Sequence, residues 1–306
     1  MSRNGGLYHL MALTAVVVWG TTFVSTKCLL AEGLSPAEIM FYRFLIAYVI
    51  LKVFSLRGGR PRNRKDELWF AAAGVCGGSL YFLTENTALQ ITQASNVALL
   101  LGTAPLLTML LSRLFLRRSE PFGRPAIWGS LLALGGMALV IYNGRFILNI
   151  NPAGDLLTLA AALSWAFYSV ILKRLGGRYS TLEITRKVFF YGVLTLLPVF
   201  AFAPLRPDLV LHGKPLVLYN LLFLGLVASL LCYLIWNTAV KNLGTVKATN
   251  YIYLVPLVTL VSSALILHET ITPVALAGAG LLLGGVYIAE NGRDAVKVRN
   301  LKPTQR

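Results

Sequence analysis

The chain has 306 residues, of which 56% are hydrophobic and only 13% charged, with a mean hydropathy of +0.68. Average soluble domains carry about 25% charged residues, so an ordinary soluble enzyme and a disordered chain are both excluded. Twenty-eight Lys and Arg against 12 Asp and Glu give a net charge of +16. Such a charge admits nucleic acid only if the basic residues cluster on a soluble face.

Taken in chain order, apolar runs cover 7–30, 37–56, 68–89, 94–116, 127–142, 155–173, 182–203, 216–240, 246–267 and 273–290. A helix needs about 20 predominantly apolar residues to cross a bilayer. Most of these runs are apolar all round, a membrane pattern rather than an amphipathic one. The expectation is an all-α membrane protein with ten transmembrane helices and no separate soluble domain. The first run is too long for a signal core and lacks a clean small-x-small cleavage site, so it is expected to be a retained helix. Cys28, Cys76 and Cys232 all fall inside runs, at spacings that match no metal or redox motif. No metal, cofactor or disulfide framework is expected.

The basic residues alternate by loop. Twenty lie at the N-terminus, in the even-numbered loops and in the C-terminal tail, and only Arg145, Arg206 and Lys214 lie in the odd-numbered loops. Lys27, Arg43, Lys52, Arg186 and Lys187 lie within runs. By the positive-inside rule this predicts a multi-pass protein of the cytoplasmic membrane with both termini and the segment 57–65 cytoplasmic. Anionic lipid headgroups then account for the charge, and nucleic acid is not needed.

The chain also repeats itself. Trp19 and Lys27 recur as Trp165 and Lys173 at an offset of 146, and Asn86-Thr87-Ala88 and Pro105 recur as Asn237-Thr238-Ala239 and Pro256 at 151. Each half, 7–143 and 154–290, holds five runs, and 291–306 is a basic cytoplasmic tail. Five is odd, so the second half enters the membrane inverted, a construction common among secondary transporters. Pro105 and Pro256 interrupt matched helices near the midplane, where freed backbone groups must face protein or water. The pair points to a cavity between the halves.

The motifs Trp19-Gly20 with Phe23 and Lys27, Arg43-Phe44, Asn86-Thr87-Ala88-Leu89, Ala94-Ser95-Asn96 and Pro105 mark the first half. Trp165, Tyr168, Lys173-Arg174, Ala239-Val240, Pro256 and His268-Glu269 mark the second. On these, the chain resembles the EamA-type transporters of the drug/metabolite transporter superfamily over about 10–290. Glu269 fits the acidic residue that commonly ends the ninth span there. The matching first-half position is Arg118, with Glu120 two residues on, which departs from the pattern. The resemblance implies a ten-helix fold and transport of small organic metabolites, often export.

Candidate substrate-binding residues are Trp19, Thr22, Arg43, Tyr81, Trp165, Tyr168 and Tyr191. The aromatics lie nearer the midplane than an interfacial belt and suit the walls of a pocket for an amphipathic solute. Arg43 brings a fixed charge and a fork of donors suited to a carboxylate. Lys27, Glu85 and Arg186 are candidates for coupling or gating, with protons as a candidate coupling ion. Glu85 is also placed to pair with Lys27 or Arg43. Two glycine pairs, Gly74/Gly78 and Gly280/Gly284, have the spacing of close helix packing. There is no P-loop or HExxH motif. The reading is a non-enzymatic secondary transporter of an amino acid or related solute, working by alternating access toward export. The competing classes are a membrane enzyme acting on lipid and a non-transporting assembly protein.

Overall fold

In a computed structural model, residues 5–54, 63–92, 94–116, 123–142, 151–206, 214–266 and 271–300 are described. Most of the expected cytoplasmic segment 57–65, the Arg118/Glu120 position and His268-Glu269 lie outside them. Every regular element among the described residues is helical. In order they are α1 (Gly5–Ala31), α2 (Pro36–Phe54), α3 (Arg64–Gly74), α4 (Leu80–Ile91), α5 (Ala94–Leu101), α6 (Ala104–Phe115) and α7 (Arg124–Tyr142). After these come α8 (Pro152–Gly176), α9 (Thr181–Leu196), α10 (Pro215–Leu222), α11 (Cys232–Leu243), α12 (Thr245–Asn250), α13 (Val255–Ile266) and α14 (Pro273–Asn300).

Among the described residues, six stretches are long and apolar enough to cross a membrane: Gly5–Ala31, Asn96–Phe115, Arg124–Tyr142, Pro152–Gly176, Thr181–Ala201 and Pro215–Leu243. The stretch Pro273–Ala289 is a shorter apolar helix. Helix α2 carries Glu38, Arg43 and Lys52, which lowers its apolar character although Glu38 and Arg43 are both buried. Large apolar side chains such as Val24, Phe54, Leu68, Trp128 and Leu156 stand exposed. An outside this apolar suits lipid rather than water. Helix α14 runs to Asn300, so part of the expected tail 291–306 continues the last helix.

The two halves begin their second helices alike. Ser35 and Glu38 exchange backbone-to-side-chain hydrogen bonds at the start of α2. Ser180 and Glu183 do the same at α9. This capping box satisfies otherwise orphaned N–H groups. Repeat mates also touch. Trp19 meets Trp165 edge-on at 5.3 Å between ring centroids, and Phe44 meets Phe189 at 4.7 Å.

The closing helices of the halves, α7 and α14, pack backbone to backbone. A Cβ on Gly129 would lie 2.3 Å from Ala289 N, and one on Gly136 2.3 Å from Leu282 N. Gly278 and Gly285 meet Val140, Ala133 and the carbonyls of Gly136 and Gly129 in return. The sequence pointed instead to Gly280 and Gly284, but nothing lies within 4 Å of where their Cβ atoms would be. The contacting glycines lie seven residues apart rather than four, on another face of the helix. Gly74 and Gly78 do sit in close contacts, with Tyr191, Gly192 and Phe44.

Candidate functional site

The helices that approach the centre are not regular. Between α3 and α4 the backbone makes a π-helical turn at Val75–Ser79, and between α10 and α11 another at Phe223–Leu231. The 151-residue offset carries the first onto the second. A π turn redirects carbonyls that an α-helix would keep to itself. Those carbonyls accept from the other half: Ser164 Oγ donates to Cys76 O at 2.8 Å, Tyr233 OH to Gly77 O at 2.5 Å, and Trp19 Nε1 to Ala228 O at 3.0 Å. Gly77 has no room for a side chain, because the Tyr168 ring lies where a Cβ would go.

Pro105 and Pro256 each occupy the second position of a helix that restarts after a break. The break is a turn at 102–103 in one case and a 3-10 segment, Tyr251–Leu254, in the other. At that place a proline's missing N–H would have had no helical partner. Each helix is therefore interrupted just before its proline rather than kinked at it.

A cavity of roughly 680 Å³, counting its open mouth, lies against these two breaks. Its polar lining is Arg43, Glu85, Thr22 and the Tyr81 hydroxyl, and its aromatic walls include Trp19, Phe23, Trp165 and Tyr233. Ala104 and Val255, the residues just before the two prolines, complete it. The size and the few convergent polar groups are those of a small-molecule site.

Arg43 is 2% exposed, and its Nε donates to Ser229 Oγ at 2.9 Å while its guanidinium carbon lies 4.2 Å from the Phe82 ring centroid. An arginine within a membrane helix costs about 2.5–3.5 kcal/mol on insertion scales. A desolvated cation–π contact returns about 2 kcal/mol, and a charged hydrogen bond about 1.5–3 kcal/mol. The residue can thus be held without an acid. Among the described residues no ion pair within 4 Å joins it to Glu85, contrary to the pairing the sequence suggested. Glu85 Oε1 instead accepts from Tyr81 OH, one turn earlier on the same helix, at 3.0 Å. The cavity is therefore lined by a guanidinium and a carboxylate that attract each other without making an ion-pair contact.

Of the residues singled out from sequence, Trp19, Thr22, Arg43, Tyr81, Glu85 and Trp165 come together here. Tyr168 is fully buried and donates to Asn237 Oδ1 at 2.9 Å, while Asn237 donates to Thr185 Oγ1. Tyr191 donates to Glu67. Neither tyrosine lines the cavity, nor do Lys27, which is exposed on α1, and Arg186, which is buried on α9. The sequence reading missed Tyr233 and Ser229. The 151-residue offset maps Phe82 onto Tyr233 and Gly78 onto Ser229, and neither mate carries a polar group that would have marked them.

Asp66 and Glu67 open α3 at one end of the bundle, here termed the basic end. Asp66 accepts from Arg178 Nη1 at 3.0 Å and from Tyr179 OH at 2.8 Å. Glu67 accepts from Lys187 at 2.5 Å and from Tyr191. Arg174 lies over the Trp69 ring at 4.4 Å, and Lys241 reaches Tyr179 O. Each of these contacts except the last joins the first half to the second. The cavity lies toward the opposite end, because its α1 residues follow Trp19 while its α2 residue sits early in that helix.

The chain belongs to the EamA-like transporter family, whose pattern it matches over residues 6–142 and again over 152–290. It is 26% identical over 284 residues to an uncharacterized transporter of Archaeoglobus fulgidus, covering 92% of this chain and 96% of that one. It is 30% identical to a probable terminal-alkyne amino-acid exporter of Streptantibioticus cattleyicolor, over 89% of this chain and 90% of the relative. It is also 30% identical to a probable amino-acid metabolite efflux pump of Salmonella typhimurium, over 94% and 95%. A solved crystal structure with 19% identity superposes with a TM-score of 0.74, covering 95% of this chain and 99% of that one. The protein is a multi-pass membrane transporter of small solutes and not an enzyme.

Proposed function

We propose that this protein is a secondary transporter that exports an amino acid or a closely related solute across the cytoplasmic membrane by alternating access. The observation that carries the reading is the cavity at the matched helix breaks, with Arg43 and Glu85 facing it from aromatic walls. A zwitterion fits: its carboxylate goes to the free edge of the Arg43 guanidinium, its ammonium to Glu85 Oε2, and an apolar side chain to Trp19, Phe23 and Trp165. In this reading ten spans form two inverted five-helix repeats, and the basic end with both termini faces the cytoplasm. The names of the exporter and efflux-pump relatives support the direction. Glu85 is the candidate carrier of a coupling proton.

The test is uptake and counterflow of labelled amino acids by purified protein in liposomes. Trp19→Ala and Trp165→Ala should lower transport per folded molecule, and Glu85→Gln should abolish any substrate-driven proton movement. Normal transport by both tryptophan variants would remove these rings from the path. Labelling of Arg60→Cys by an impermeant reagent added outside intact cells would reverse the orientation.

A further inference from the structure

Trp19 and Trp165 are repeat mates at an offset of 146, and Ala228 and Gly77 are mates at 151. Trp19 Nε1 donates to Ala228 O at 3.0 Å. The mated bond, Trp165 Nε1 to Gly77 O, is not made. The Gly77 carbonyl is taken at 2.5 Å by the hydroxyl of Tyr233, whose own mate is Phe82 and has no hydroxyl to offer. Trp165 is 5% exposed, and its Nε1 is buried without a partner. The two residues are neighbours, their rings 6.1 Å apart and edge to face. Ser164, next to Trp165 in the chain, already holds Cys76 O, next to Gly77.

We infer that Tyr233 and Trp165 compete for the Gly77 carbonyl, and that the exchange of donor is part of the change between the two facing states. This rests on the alternating-access reading. In an inverted repeat, the second state gives each half the local geometry that the other half has in the first. The bond Trp19 now makes to Ala228 is therefore the bond Trp165 makes to Gly77 after the change. For that to happen the Tyr233 hydroxyl must let go. Tyr233 is a positioning residue that holds the state described here, with the basic end closed and the cavity toward the other end. The buried N–H of Trp165 lacks a partner in this state and gains one in the other. The hydroxyl has no counterpart in the first half, so the exchange is asymmetric and favours the cavity-open state.

The test uses the full-length protein in nanodiscs with Cys28, Cys76 and Cys232 replaced by Ala. Spin labels at Lys65 and Gly177 report the basic end, and labels at Ala31 and Leu216 report the opposite end. Distance distributions are read without substrate. Tyr233→Phe keeps the ring and removes the hydroxyl. It should change the ratio of the two states by about fivefold to tenfold, the worth of one hydrogen bond. The Lys65–Gly177 distance should lengthen and the Ala31–Leu216 distance shorten. Trp165→Phe removes the competitor and should shift both distances the opposite way, and the double variant should return toward the parent. Loss of packing alone would lower the melting temperature without shifts of opposite sign, and that result overturns the inference. So does an unchanged distribution in Tyr233→Phe. Because no substrate is present, opposite shifts sustain the exchange even if every amino acid fails in the liposome assay, which would overturn the proposed substrate only.

Discussion

At the basic end, Asp66 uses both carboxylate oxygens on the other half of the chain, and its side chain is 5% exposed against 51% for Arg178. At the opposite end the mated loop carries Glu32, which pairs with Lys214 at the start of α10, with the lysine 71% exposed. The 146-residue offset maps Glu32 onto Arg178, so the repeats use the same loop position with the sign of the charge reversed. Asp66 is walled in by Tyr179 and Phe70, whose rings lie 4.9 Å apart, whereas Lys214 sits in the open. The opposite end has a buried acid as well, since Glu38, 1% exposed, accepts from the Arg206 backbone and guanidinium across the halves. What desolvation separates is thus the buried Asp66 cluster from the open Glu32–Lys214 pair rather than one whole end from the other. Asn237 and Asn86 tell the same story. Asn237 is bonded through both side-chain atoms, to Tyr168 and Thr185. Asn86 gives only a 3.3 Å bond to Pro36 O and leaves its own oxygen unpartnered.

The sharpest way to break this comparison is to disable the cavity between the two closures. Arg43→Ala should weaken binding of the transported solute by about tenfold to a hundredfold. Arg43→Lys should fall between, since it keeps the charge and loses the fork. Isothermal titration of the three proteins separates anchoring from a purely structural role. Unchanged affinity with a lowered melting temperature would remove Arg43 from the site.

Next in size is the buried Asp66 cluster. Asp66→Ala leaves Tyr179 OH and Arg178 without their acceptor and should cost about 1–3 kcal/mol, seen as a lower melting temperature in detergent. The matched change at the other end, Lys214→Ala, should cost no more than about 1 kcal/mol. Equal losses would erase the distinction between the two pairs. The remaining contrast lies between two glycines on the last helix. A methyl at Gly285 runs into the α7 backbone and should impair assembly. The same change at Gly280 meets open space and should leave folded yield within about 0.5 kcal/mol of the parent. Size-exclusion profiles of the two alanine variants decide this.

Much of the fold was legible because lipid imposes a plain rule on sequence. The apolar runs, the alternation of basic loops and the Trp19/Trp165 and Pro105/Pro256 offsets are one-dimensional signals. Six of the ten side chains proposed for binding, coupling or gating fall on the cavity, and all but Thr22 do so for the same reason, as midplane aromatics or charges within runs. Tyr168 escaped because its hydroxyl is spent on Asn237, a bond made across 69 residues of chain. Arg178 was counted only as a loop charge, since nothing local shows that Asp66 would come to meet it. The capping boxes at Ser35/Glu38 and Ser180/Glu183 were readable as Ser-x-x-Glu and were passed over. The π turns were not readable, because their register is set by packing against the other half.

The glycine contact between α7 and α14 bears on how the chain is made. Gly129 and Gly136 meet their nearest neighbours in Gly278, Leu282, Gly285 and Ala289. These emerge from the ribosome roughly 150 residues later, and at about 5–20 residues per second that is a wait of about 10–30 s. During that interval the notched face of α7 stands in the membrane without the helix it was shaped for. A helix of the second half is thus the one that completes the first. A nascent chain cut short before 278 should be recognised by membrane quality control as unfinished, however well its earlier helices have inserted.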